Sequence, residues 1–174
     1  MGRPVEYLPI LTPLQNDDLC RIVGVNYVQF AKDRREGFVH NSAQHPYAPS
    51  PKFRFYNTFD AFSYYLFHQV LPPHLVAKRR YEISEAMTDL VAEFVERADH
   101  NMPREFKEKL RVNIIALAKE CRIYPKRLSL RRQDQCLDLA NRVLDAWAKI
   151  VEDLEKEFLE NNFTTELEEF SKPF

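Results

Sequence analysis

The chain has 174 residues, 45% of them hydrophobic, 13% aromatic and 29% charged, with a formal net charge of −1. That length supports one folded domain with a proper core, or a small domain with a helical extension, and the aromatic content excludes a chain that stays unfolded over most of its length. No apolar run approaches the ~20 residues of a membrane-spanning helix, and the N-terminus lacks a basic-then-apolar export pattern, so the expectation is no membrane partner and a cytoplasmic location, or a nuclear one in a eukaryote.

Residues 1–11, punctuated by Pro4 and Pro9, read as an N-terminal arm or leading strand. A first helix follows, capped by Thr12 or Asn16, with Asp17 and Asp18 at its positive end and Leu19, Ile22 and Val23 on its apolar face. Gly24 and Gly37 are the two interior members of a set of only three glycines. A chain so poor in glycine places one where the backbone needs a positive φ, in a tight turn or just past a helix end. Gly24 therefore turns the chain. Asn26 caps a second helix with Tyr27 and Phe30 as inward anchors, and Gly37 ends it. From Asn16 to Val39 the outline is helix, turn, helix, stop.

Phe38-Val39 opens an extended stretch, and 40–52, with Pro46, Pro49 and Pro51, reads as a loop. Phe53-Arg54-Phe55-Tyr56 alternates as a short strand, so that the two extended pieces can pair as a β-hairpin wing with a long tip. Asn57-Thr58 caps a third helix carrying Phe59, Phe62, Tyr65, Leu66 and Val70, which Pro72-Pro73 ends. His74 to Tyr81 reads as a short helix. Ser84 then opens a longer one with Ala86, Leu90, Val91, Phe94, Val95 and Ala98 on one face. Pro103 starts the next, along which Leu110, Ile114, Leu117, Ala118 and Cys121 run. The last helix is expected over Gln133–Glu160, with Leu137, Ala140, Val143, Leu144, Trp147, Ile150, Val151, Leu154 and Phe158 as its stripe. The expected fold is mainly α: an N-terminal winged helix-turn-helix (12–81) with a small β-hairpin wing, then a C-terminal helical bundle or dimerisation region (82–160), then an acidic tail (161–174).

Catalytic signatures are missing. The five histidines form no His-Glu-x-x-His, the glycines are too few for a phosphate loop, and no Gly-x-Ser-x-Gly elbow occurs. Cys20, Cys121 and Cys136 have no metal-ligand spacing; Cys20 and Cys136 fall inside amphipathic helices and read as small packing groups. No cofactor, no metal and no enzymatic activity are expected. Charge is uneven: the middle of the chain is basic and 134–174 acidic. Lys119, Arg122, Lys126, Arg127, Arg131 and Arg132, around Tyr124, form a basic cluster best read as favourable charge at a helix C-terminus.

The order of these pieces carries a resemblance. Leu19-Cys20-Arg21-Ile22-Val23-Gly24-Val25, then Arg35-Glu36-Gly37-Phe38-Val39, then Phe53-Arg54-Phe55-Tyr56-Asn57-Thr58-Phe59-Asp60 resemble the MerR-type, excisionase-like winged-helix DNA-binding domain over about 65 residues. Family members usually carry an arginine followed by aromatics in the recognition helix, where this chain has Ala31-Lys32-Asp33, and here the wing tip is proline-rich. The resemblance implies a DNA-binding transcriptional regulator or recruitment protein, with double-stranded DNA as partner and a homodimer formed through C-terminal helices, either Ser84–Ala98 or Gln133–Glu160. The expected DNA-binding set is Asn26, Tyr27, Gln29, Lys32, Arg34, Arg35, Lys52 and Arg54: the amides of Asn26 and Gln29 offer base contacts, and Lys32, Arg34, Arg35, Lys52 and Arg54 hold phosphates. The alternative is a non-enzymatic protein-interaction or assembly module on the same scaffold, with the Trp147 helix and the aromatic tail as its surfaces toward a protein partner.

Overall fold

Six α-helices form among the described residues, and short-range chemistry sets most of their ends: α1 Asn16–Val23, α2 Tyr27–Arg35, α3 Thr58–Tyr65, α4 Ala77–Arg97, α5 Arg104–Glu120 and α6 Ser129–Ser171. The structure, a computed structural model, describes residues 14–40, 56–97, 104–124 and 129–171. At α1 the cap is Gln15, whose N–H donates to Asp18 Oδ2 at 3.0 Å; Asn16 is already helical, and Thr12 lies outside the described residues. Asn57 and Asp60 cap α3 reciprocally: the Asp60 N–H donates to Asn57 Oδ1 at 2.8 Å, and the Asn57 N–H to Asp60 Oδ2 at 3.0 Å. Gly24 and Gly37 take φ of +81° and +85°, as their scarcity leads one to expect.

Where side chains had to choose between distant neighbours, the sequence reading needs correcting. Ser84 does not open a helix. α4 starts at Ala77, no glycine or proline interrupts it, and Ser84 lies fully buried inside it. There its Oγ donates to the Tyr81 carbonyl at 2.8 Å and accepts from Ser63 Oγ at 3.3 Å, so a small residue lets α3 and α4 approach. The apolar face of α4 accordingly centres on Ile83, Met87, Val91, Phe94 and Val95. On α6 the stripe is Cys136, Leu139, Ala140, Val143, Leu144, Trp147, Ile150 and Leu154, with Leu137 turned outward. That helix is 43 residues long and runs to Ser171, taking in most of the stretch expected as tail; a helix of that length spans about 64 Å. No glycine or proline occurs within it to stop it.

The described residues contain no β-strand. One antiparallel bridge joins Leu14 to Tyr56, with N–H···O distances of 2.7 and 2.8 Å. Phe38 and Val39 lie in irregular backbone, where Phe38 packs on Phe67 and Tyr81. The other half of the expected hairpin, Phe53–Phe55, and the tip lie outside the described residues.

Buried side chains from Leu14 to Leu154 form one cluster, so that α3 is covered by α1 and by α4 and α6 together. Trp147 of α6 is the clearest joint. Its indole stacks on Phe59 (centroids 5.2 Å apart, planes at 11°) and meets Phe62 edge-on at 5.2 Å, both on α3. At the far end of α5, Arg122 adopts a positive φ of 52°, and the exposed carbonyls are taken by Arg79 Nη2 on Cys121 O (2.8 Å) and by His74 Nε2, 2.9 Å from Ile123 O. Part of the basic middle is thus helix-end chemistry.

Burial pushes three tyrosines above their ordinary ionisation range: Tyr64 far above it, Tyr81 up to about 12, and Tyr124 upward. Hydrogen bonds to Asp33 and Glu85 add to the effect at Tyr64 and Tyr81 respectively. A raised folded pKa means that the unfolded chain ionises first, so this stability is complete below pH ~10 and falls as pH rises beyond it. Tyrosinate absorbance is expected to grow in two stages, the second coinciding with loss of helical circular dichroism. Full tyrosinate titration near pH 10 with the helices intact would count against these burials.

Candidate nucleic-acid interface

The α1–turn–α2 unit is built from local rules and then locked from outside. Past Val23 the chain enters the left-handed region at Gly24, and the N–H groups of Gly24 and Val25 both donate to Cys20 O, at 2.8 and 3.0 Å. A Cβ on Gly24 would lie 3.6 Å from Gln69 Nε2, which itself donates to Val23 O at 3.0 Å. Asn26 caps α2, its Oδ1 accepting from the Gln29 N–H at 2.8 Å. At the other end, Phe38 N–H reaches Asp33 O (2.8 Å) and Gly37 N–H reaches Arg34 O (3.1 Å), a Schellman closure that places Phe38 against Phe67.

Two side chains fix the inner face of α2. Phe30 is fully buried and meets Tyr56 and Tyr64 edge-on, with centroids 6.2 and 6.0 Å away. Asp33, 3% exposed, points inward one turn later. Its Oδ2 accepts from Tyr64 Oη–H and from His68 Nε2, both at 2.6 Å, and its Oδ1 accepts from Gln29 Nε2 at 2.9 Å. A buried carboxylate is tolerated only with partners of this kind. His68 reaches it because Leu66–Val70 forms a π turn that prolongs α3. Arg142 of α6 braces the same turn from behind, Nη2 donating to Gln69 O at 3.0 Å.

The outer face of α2 is solvent-exposed. Val28 is 79% and Tyr27 55% exposed, so Tyr27 is not the inward anchor its position suggests; its ring lies beside Phe30 on the outside, 6.1 Å between centroids. Lys32 and Arg35 are exposed, and Arg34 lies half-buried with its guanidinium 5.5 Å from the Phe30 ring centroid. Among the described residues none of the three cations is engaged in an ion pair. Lys52 and Arg54 lie outside the described residues. Of the eight sequence-predicted residues, the structure therefore brings five together on one short helix and a sixth, Asn26, at its N-cap. Asn26 and Gln29 have part of their amide chemistry already committed to capping and to Asp33. Sequence reasoning missed Val28, for which its exposure in three dimensions is the only signal.

A concavity of about 190 Å³ lies between the start of α3 and the middle of α4, lined by His40, Asp60, Glu85 and Asp89 among others. His40 Nδ1 is 3.3 Å from Glu85 Oε1, and burial holds the Glu85 carboxyl above its usual range, against the lowering effect of His40. Its acidic lining repels anions. Among the described residues no three His, Cys, Asp or Glu side chains converge as metal ligands. No family model matches this chain, and no significant match to it was found among curated proteins or solved structures.

Proposed function

We propose that this protein binds double-stranded DNA through α2, as a transcriptional regulator or recruitment protein of the MerR-like winged-helix type, without catalysing a reaction. The observation that supports this reading is the two-sided character of α2: Phe30 and Asp33 hold its inner face, while Lys32 and Arg35 project from the outer face with no acidic partner among the described residues. A rod held rigidly by one face and carrying cations on the other suits the major groove, where phosphate contacts position the protein. Arg34, steadied over Phe30, supplies a third cation near the end of the rod. Lys52 and Arg54 would add phosphate contacts from the wing. The Leu14–Tyr56 bridge is the sort of pairing a small sheet at the base of a wing requires, immediately before α1 and α3. A homodimer through the C-terminal helices completes the proposal.

The test is fluorescence anisotropy with a random-sequence duplex at two salt concentrations. The three cations of α2 alone give a slope of about −2.7 in log affinity against log salt, or roughly a fortyfold fall between about 50 and 200 mM, and contacts from Lys52 and Arg54 would steepen it by about 0.9 each. Neutralising Lys32 or Arg35 with glutamine is expected to flatten that slope by about 0.9 each. No binding at low salt, or binding that ignores both substitutions, removes DNA from this face and leaves a protein-interaction module.

A further inference from the structure

α2 has nine residues, and its polar chemistry is largely accounted for, which isolates one side chain. An amide that reads adenine needs its donor and its acceptor free together, one for N7 and one for N6. Asn26 has its acceptor on the Gln29 N–H at 2.8 Å, and Gln29 has its donor on Asp33 at 2.9 Å. Each keeps a second donor or lone pair, but the bond already made fixes the plane of its amide and so restricts the paired contact. Val28 makes no such internal commitment: at 79% exposed it is the most exposed large apolar side chain among the described residues. It also lies on the same stripe as Lys32 and Arg35, at positions i, i+4 and i+7 of the helix. An apolar group on a cationic stripe complements a surface that is anionic at its edges and apolar at one point within. The major groove of duplex DNA has that pattern, with the thymine C5-methyl as its apolar point.

The geometry points to Val28 as the specificity-determining contact of this face: α2 selects duplex DNA by packing Val28 on thymine methyl groups, with Lys32 and Arg35 on the flanking phosphates. The inference rests on the DNA-binding reading above. It gives that reading a chemical preference, for thymine-containing steps, that phosphate contacts cannot supply.

Substituting deoxyuridine for thymidine deletes the methyl and leaves the hydrogen-bonding edge and the phosphates unchanged. A duplex selected by the full chain from a random pool is remade with deoxyuridine, and both forms are titrated against the wild type and Val28→Ala. The wild type is expected to lose about fourfold for each methyl that Val28 covers. Val28→Ala is expected to bind both duplexes equally, at the weaker affinity, with an unchanged salt slope. Val28 is exposed, so alanine leaves the core intact, and circular dichroism checks the helix content. Salt-dependent binding that is indifferent to the methyl overturns the Val28 assignment and leaves the DNA reading standing. Absence of binding to any duplex at low salt overturns both.

Discussion

Replacing Asp33 with alanine is expected to lower the stability of the fold by about 3–5 kcal/mol, because it strands three groups at once. Tyr64 Oη–H and His68 Nε2 would lose the acceptor they share at 2.6 Å, and Gln29 Nε2 would lose its partner at 2.9 Å. Tyr64 is 1% exposed and its hydroxyl has little access to water as a substitute. Urea unfolding followed by circular dichroism measures the effect as a lower midpoint with an unchanged slope. Asp33→Asn keeps the volume and one acceptor and is expected to fall between the wild type and alanine. A double-mutant cycle of Asp33→Asn with Tyr64→Phe separates the bond from the bulk, with a coupling of about 1–3 kcal/mol expected. A loss below about 1 kcal/mol for Asp33→Ala would show that α2 does not depend on this carboxylate. The functional consequence follows from position: Asp33 and Phe30 are the only buried residues of α2, so loosening Asp33 leaves the rod hinged on one aromatic ring.

The second large effect is expected at Trp147. Trp147→Ala removes the indole between Phe59 and Phe62 and opens a void where α6 meets α3, at a cost of about 3–5 kcal/mol. Trp147→Phe keeps a ring in the stack and should cost much less. Because Trp147 is the only tryptophan, its emission reports directly on this joint in the wild type. Urea unfolding followed by emission and by helical circular dichroism should give one coincident transition if the joint breaks with the rest of the fold. Two separate transitions would show that α6 detaches first, and Trp147→Ala would then move only the earlier one.

What the sequence disclosed and what it hid divide along the range of the interactions. The caps at Asn26 and Asn57 and the turns at Gly24 and Gly37 each depend on residues within five positions, and they can be read from the chain directly. Asp33 is the contrary case. In sequence it is an acid among Lys32, Arg34 and Arg35, as a solvated helix face would be. Its partners Tyr64 and His68 are 31 and 35 positions away, and His68 comes into reach only through a π turn that no local pattern announces. Ser84 misleads for a related reason. Serine before an apolar run is a good helix start, but the same small size suits the crossing of two packed helices. The apolar stripes of α4 and α6 were legible as stripes, though not for whom: through Leu154 they serve the chain's own core. The candidate interface was legible as a set of cations on one helix. The commitment of Asn26 and Gln29, and the prominence of Val28, depended on rotamers and exposure that spacing does not encode.

The π turn at Leu66–Val70 sets the angular phase of everything around it. Each residue of a helix advances the side-chain direction by about 100°, so an ordinary α-helical register through these five positions would swing His68 off Asp33 and Gln69 off the Val23 carbonyl. Two polar ties of the helix-turn-helix to its support would lapse through a single change of winding, while the packing of Phe30 on Tyr64 and the Tyr64–Asp33 bond, ahead of the turn, would persist. The spacing of this segment is therefore under tighter constraint than its composition: substitutions at its exposed edge are tolerable, whereas the loss of one residue from it would release one polar tie of α1 and one of α2 together.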